Sequence, residues 1–137
     1  MTGPPDPITS LTAADLMSTD LLVVSEGESV AAAWELMARG RIHHLPVVRG
    51  RLCVGLLDDR ALFQAWSPGS LSRTRRKVGE LLTRRPPVVD PDAALVELAR
   101  RMEEYGTDGV VIVGPLGEAL GVVTVTDLVA ALAGVLA

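Results

Sequence analysis

Few residues in this chain have types and spacings that suggest chemistry. Thr124 and Asp127 stand three apart before an apolar run. A hydroxyl and a carboxylate at that spacing can each accept from the other's backbone N–H, a capping box that starts a helix. His43 and His44 are adjacent at the head of a β-like run, where imidazole can carry a proton near neutral pH or form an ordinary strand surface. Six cations, Arg73, Arg75, Arg76, Lys77, Arg84 and Arg85, fall between positions 73 and 85. Cys53 is the single cysteine, so an internal disulfide and a cysteine zinc cluster are both excluded. No motif places either histidine beside a Ser or Cys nucleophile, so no catalytic residue, metal ligand or cofactor is assigned and no enzyme is expected.

The chain that must position these groups has 137 residues, 48% of them apolar and only 3% aromatic. The apolar mass is Val, Leu and Ala, which suits one ordinary domain, or two small ones sharing a core, and excludes a disordered chain. Thirteen basic against seventeen acidic residues leave a net charge of −4, which argues against nucleic-acid binding by bulk electrostatics. No stacking aromatic lies within the basic stretch, so a solvated linker or a phosphate-reaching arm is expected there. The opening residues, Met1 to Pro7, lack a basic and an apolar region of signal-peptide type. Apolar stretches at 120–125 and 128–137 fall short of the roughly 20 residues that span a bilayer. The expectation is a soluble cytoplasmic protein with no membrane contact.

Self-similarity organises the rest. At an offset of 65, Asp15-Leu16-Met17 matches Glu80-Leu81-Leu82, Val23-Val24 matches Val88-Val89, and Val47-Val48 matches Ile112-Val113. After one inserted residue, Gly55-Leu56-Leu57 matches Gly121-Val122-Val123. Val30, Ala33, Trp34 and Met37 recur at helical spacing, as do Leu95, Leu98, Ala99 and Met102, so each half carries an amphipathic helix. Ser25 with Glu28, and Asp90 before Pro91, read as the start signals of these helices. β runs follow at 44–48, 52–57, 110–113 and 120–125, joined by turns at 49–51 and 114–117. Helices from about Arg60 to Trp66 and Asp127 to Leu136 end the halves. The expected fold is α/β (α+β): two βαββα repeats related by a pseudo-twofold and packed through their sheets. Its boundaries are a flexible tail at 1–10, repeat 1 at 11–66, a linker at 67–77 and repeat 2 at 78–137.

This order resembles a tandem pair of cystathionine β-synthase (CBS) domains, a Bateman module. The resemblance rests on Ala14-Asp15-Leu16-Met17, Ile42 to Val48, Gly55-Leu56-Leu57, Val110 to Val113 and Gly121 to Leu128. It implies a non-enzymatic regulatory module that binds AMP, ATP, adenosine or S-adenosylmethionine in a cleft between repeats and signals to a separate effector protein. It also implies that the Gly121 to Asp127 turn, with Thr124, Thr126 and Asp127, reads a ribose: the carboxylate takes the vicinal hydroxyls while a hydroxyl and the helix start face phosphate. Ser18, Thr19, Ile42 and His43 would complete the cleft, with Ile42 as an apolar wall for adenine. In repeat 1, Asp58 and Ala61 replace the Thr and Asp of the pattern, so one competent site is expected. Asp108 stands where related modules place a cation, which tilts the ligand from ATP toward adenosine or S-adenosylmethionine. The alternative is a ligand-free dimerisation module with degenerate sites.

The helices carry one further expectation. Ala31 to Trp34 and Leu128 to Leu136 are apolar on more than one face, with small residues that allow close approach. A homodimer through helices that include Trp34 and Leu132 is expected.

Overall fold

A computed structural model describes residues 10–65 and 75–136. The expected tail before Ser10, Trp66, most of the linker, Arg73 and Ala137 lie outside these described residues. The elements run α1 (Ala13–Leu16), β1 (Val24–Ser25), α2 (Val30–Gly40), β2 (His44–Arg49), β3 (Leu52–Asp58) and α3 (Asp59–Ala65). A 3-10 turn follows (Val78–Leu81), then β4 (Val88–Val89), α4 (Leu95–Tyr105), β5 (Gly109–Val113), β6 (Ala119–Thr124) and α5 (Val125–Leu136).

Two three-stranded sheets result, β1-β2-β3 and β4-β5-β6, giving a mixed α/β architecture. β1 joins β2 in parallel through Val24 and Val47, and β4 joins β5 in parallel through Val89 and Ile112. A parallel pair needs a crossover, and α2 and α4 supply it. β2 and β3 are antiparallel from Arg49 opposite Leu52 to His44 opposite Asp58. Their connection is the two-residue loop Gly50-Arg51, in which Gly50 takes a left-handed φ of 61° that favours a residue without Cβ.

Of the helical stripes read from the sequence, Val30, Ala33 and Met37 and Leu95, Leu98 and Met102 are buried, whereas Trp34 and Ala99 are exposed. Val30, Ala33 and Met37 pack with Leu45, Val47, Leu57 and Leu62, while Leu98 and Met102 pack with Val110, Ile112 and Val123. Each large side chain buried this way contributes about 1.5–3 kcal/mol.

The helix starts differ from expectation. Ser29, not Ser25, caps α2, its side chain accepting from the Ala32 N–H at 3.1 Å. Ser25 is still paired in β1, and its Oγ and carbonyl accept from Gly27 and Glu28 in the turn that follows. Asp90 likewise forms a turn, its carbonyl accepting from Ala93 N–H, and α4 starts after Ala94 with no side-chain cap.

The chain forms two compact units that divide it differently from the sequence repeats. One contains the described residues up to Leu21 together with Pro87–Leu116 and the chain from Leu120 onward. The other contains Leu22–Pro86 and Gly117–Ala119. The opening segment of each repeat therefore docks on the body of the other repeat. In the first unit Ala13 and Ala14 N–H donate to the carbonyls of Ala93 and Pro91, both at 2.8 Å. In the second unit Val78 and Gly79 N–H donate to Glu28 and Glu26, at 2.8 and 2.9 Å. These are the same bonds at an offset of 65. Thr12 N–H donates to Asp15 Oδ2 at 2.8 Å, and Lys77 N–H donates to Glu80 Oε2 at 3.3 Å, so the box that starts each docked segment is repeated as well.

Two equivalent glycines permit the docking. A methyl group at Gly121 would lie 2.8 Å from both Met17 Sδ and the Ser18 carbonyl oxygen. One at Gly55 would meet only the branched end of Leu82, with Cδ1 at 2.7 Å. Backbone cannot yield as a side-chain tip can. Gly121→Ala is therefore expected to destabilise the protein by about 1–3 kcal/mol and Gly55→Ala by distinctly less. Denaturant melts of the two variants measure this, and equal losses would contradict the account.

Candidate functional site

Among the described residues no polar or charged side chain is buried, so any ligand chemistry belongs to the edges of the units. One such edge is the junction of β6 with α5. Val122 and Val123 alternate on β6 with Val123 buried, and the strand ends at Thr124, where the chain turns into α5. The expected capping box forms. Asp127 Oδ2 accepts from Thr124 N–H at 2.8 Å and from its hydroxyl at 3.1 Å, while Thr124 Oγ1 accepts from Asp127 N–H at 3.3 Å. Both bonds to the carboxylate use Oδ2, and Oδ1 takes no part in the box. Thr124 and Asp127 are half-buried and Thr126 is exposed.

The same unit carries two more of the expected site residues. Ser18 N–H donates to the Val122 carbonyl at 3.2 Å in an isolated antiparallel bridge. That bond holds the backbone of Ser18 and Thr19, both exposed, beside β6 two residues before Thr124. Ser18, Thr19, Thr124, Thr126 and Asp127 thus belong to one compact unit, and Ile42 and His43 belong to the other. Ile42 is half-buried against that unit's core. His43 is exposed, and its Nδ1 lies 2.8 Å from Asp59 Oδ2.

Sequence reasoning does not single out Asp59, yet the repeat contains its signal. Asp59 N–H donates to the His43 carbonyl at 3.1 Å, and Val125 N–H donates to the Asp108 carbonyl at 2.9 Å. These are equivalent bonds that bring the first residue of the closing helix against the residue preceding the inner strand. Only in the first repeat are both side chains, His43 and Asp59, able to pair there. Beside them Asp58 Oδ1 accepts from Ala61 N–H at 2.7 Å, a one-sided cap in place of the reciprocal box. Repeat 1 therefore presents two carboxylates at this turn, against the hydroxyl and single carboxylate of repeat 2.

One further charge pair links the first repeat's turn to its sheet. Arg49 grips Glu26 through Nε at 2.6 Å and Nη2 at 3.1 Å. The bonded guanidinium holds the Glu26 carboxyl below its usual range, so this link is intact above that range and is lost on acidification. Burial pushes the Cys53 thiol up, which disfavours its thiolate and suits a core side chain. Arg75, Arg76, Lys77, Arg84 and Arg85 are exposed, with Arg76 Nε 3.9 Å from Glu80. Among the described residues no three His, Cys, Asp or Glu side chains are grouped to hold a metal ion, and no helix is long and apolar enough to cross a membrane.

The CBS domain family model matches residues 13–67 and again 78–134. The chain belongs to the CBS domain family, as a tandem pair. It is 33% identical over 109 residues to inosine-5'-monophosphate dehydrogenase of Korarchaeum cryptofilum, a match covering 80% of this chain and 22% of that enzyme. The chain spans 22–24% of the length of the curated relatives it matches, and the enzymes among them match through their CBS part. Among solved structures, CBSX2 in complex with AMP is 27% identical, with a TM-score of 0.77 over 93% of this chain and 100% of that one. The CBS domain pair of protein MJ0100, in complex with 5'-methylthioadenosine and S-adenosyl-L-methionine, superposes with a TM-score of 0.79 at 22% identity. That match covers 90% of this chain and 97% of the other.

The box at Thr124 and Asp127 has a measurable role without any ligand. Asp127→Ala should cost about 1 kcal/mol of stability, while Asp127→Asn, which keeps an acceptor for Thr124 N–H, should retain most of it. Thermal melts in ligand-free buffer check this; a neutral Asp127→Ala would show that the box does not hold the helix start.

Proposed function

We propose that this CBS pair is a regulatory module that binds an adenosine-containing small molecule through Thr124, Thr126 and Asp127 and passes the signal to a separate effector protein in the cytoplasm. The observation that carries the proposal is the asymmetry between the two β-to-helix turns. The second repeat ends β6 with a hydroxyl and a carboxylate whose Oδ1 lies outside the capping box, and a carboxylate oxygen can accept from a ribose hydroxyl. The equivalent turn of the first repeat has Asp58 committed to Ala61 N–H and no carboxylate at position 61. The AMP complex of CBSX2, at 27% identity, supports the ligand class. Ser18 and Thr19, of the same compact unit, contribute to the site in this reading. Asp108, whose carbonyl accepts from Val125 N–H beside this turn, disfavours a triphosphate, which places adenosine and S-adenosylmethionine ahead of ATP.

A second reading is favoured by a different observation. Val129 and Leu132 on α5 are 58% and 41% exposed, and Trp34 on α2 is 37% exposed. Among the described side chains of α5, Leu128 is the one packed against a core cluster. Apolar helical surface of this kind suits pairing with a second copy, so the module is a homodimer through helices that include Trp34 and Leu132. A ligand-free dimerisation module would need nothing more.

Thermal shift separates the readings. AMP, ADP, ATP, adenosine and S-adenosylmethionine are each titrated against the wild type and Asp127→Asn, and each shift is referred to that variant's own ligand-free melt. A bound ligand at 100 times its dissociation constant adds about 2.7 kcal/mol. At least one adenosine ligand should stabilise the wild type, with most of the shift lost in Asp127→Asn. No shift with any of them would leave the dimerisation module as the function.

A further inference from the structure

The equivalent edge strands of the two sheets are guarded differently. β1 stands at the end of the order β1-β2-β3, and β4 at the end of β4-β5-β6. Glu26 N–H donates to the Val48 carbonyl at 2.9 Å, so by alternation the N–H groups of Val24 and Glu26 face β2 while those of Val23 and Ser25 face away from it. Such an edge accepts another strand unless something blunts it. The second repeat has the blunting devices. At the offset of 65, Pro86 and Pro87 precede β4 where Leu21 and Leu22 precede β1, and Glu97 and Arg101 on α4 stand where α2 has Ala32 and Leu36. Proline withholds a backbone donor, and charged side chains deter pairing. The first repeat carries none of these at the equivalent positions, and its Leu22 and Val23 are each 38% exposed.

Beside β1 lies a groove of about 360 Å³. Val23 to Ser25 form its strand wall, and Glu28, Ala32, Glu35, Leu36 and Arg39 form its helix wall. Ala32 and Leu36 are half-buried, and both glutamates are exposed. Arg39 is bonded to Glu35, so the Glu28 carboxylate is the surplus charge of the lining.

We infer that β1 is a docking edge for an extended basic segment of another protein. The segment pairs with the outward backbone of Val23 and Ser25 and sets an apolar side chain over Ala32 and Leu36, with a lysine or arginine two residues away beside Glu28. Alternation fixes that spacing, because residues i and i+2 of an added strand share the face that covers α2. Main-chain bonds supply the affinity and the groove selects the side chains. Charge decides the sign of the partner: a basic segment meets the surplus carboxylate, whereas an acidic one is repelled by it. The docking edge lies wholly in the Leu22–Pro86 unit, and Thr124 and Asp127 lie in the other. It therefore goes beyond the ligand reading and stands without it.

The test is a selection of random displayed heptapeptides on the full chain, followed by anisotropy titration of synthetic copies and by hydrogen exchange. Recovered peptides should carry Lys or Arg two positions from an apolar residue, and should slow exchange at the Val23 and Ser25 N–H groups. Three variants locate the contact. Val23→Pro removes an outward donor, Leu36→Arg gives the groove floor the residue type of the second repeat, and Glu28→Lys reverses the surplus charge. Each should weaken the selected peptides by at least ~5-fold. Thermal melts show which variants are folded, and the exposed Glu28→Lys keeps the test open if the other two are not. Recovery of no peptide, recovery of acidic peptides, or peptides that bind the folded variants as tightly as the wild type would overturn the docking edge. Slowed exchange at Val23 and Ser25 with rising protein concentration alone would put a second copy there and overturn the choice of partner.

Discussion

The rest of the structure depends on one constraint: neither sequence repeat completes its own body. The backbone N–H groups of Ala13 and Ala14 are satisfied by carbonyls of the turn before α4, and those of Val78 and Gly79 by carbonyls of the turn before α2. Buried backbone groups left unpaired would each cost as much as a lost hydrogen bond. Ala13 and Val78 are both fully buried in these docked positions, so each opening segment serves both as a core element and as a source of main-chain bonds. The glycines at 55 and 121 admit this approach because a side chain at either position would occupy the space of the docked segment. The exchange ties the beginning of the chain to its end.

Much of this was legible in the sequence because it follows from periodicity. The stripes at 30, 33, 37 and at 95, 98, 102 became the buried faces of α2 and α4, although their members Trp34 and Ala99 stay exposed, and the four β runs formed within a residue or two of the expected limits. Helix starts were less legible. Ser25 and Ser29 are both plausible caps by type, and only strand pairing decides between them: Ser25 is held opposite Val48 in β1, so the helix begins one turn later. The residue matching alone did not reveal the docking exchange, because the match between Asp15-Leu16-Met17 and Glu80-Leu81-Leu82 shows that the segments are equivalent and not which body each one joins; the family resemblance did group Ser18 and Thr19 with Asp127.

The candidate site shows the same division. Three-residue spacing sufficed to read the Thr124 and Asp127 box, since its partners are local. The His43 and Asp59 pair lies 16 positions apart and depends on a turn that only the folded repeat brings together. The repeat comparison that exposed Asp58 and Ala61 as departures extends one residue further, to Asp59 in the place of Val125. The first turn is thereby more acidic than the second, and two similar repeats acquire different chemistry from a handful of substitutions.

Hydrogen exchange on the full chain and on a chain beginning at Leu22 tests the docking exchange most directly. Removing the opening segment should strip protection from Val111, Ile112 and Val123 in the second repeat, while Leu45 and Val47 in the first repeat keep theirs. Loss of protection at Leu45 and Val47 with Ile112 unchanged would show that the segment belongs to its own sequence repeat, and would contradict the account.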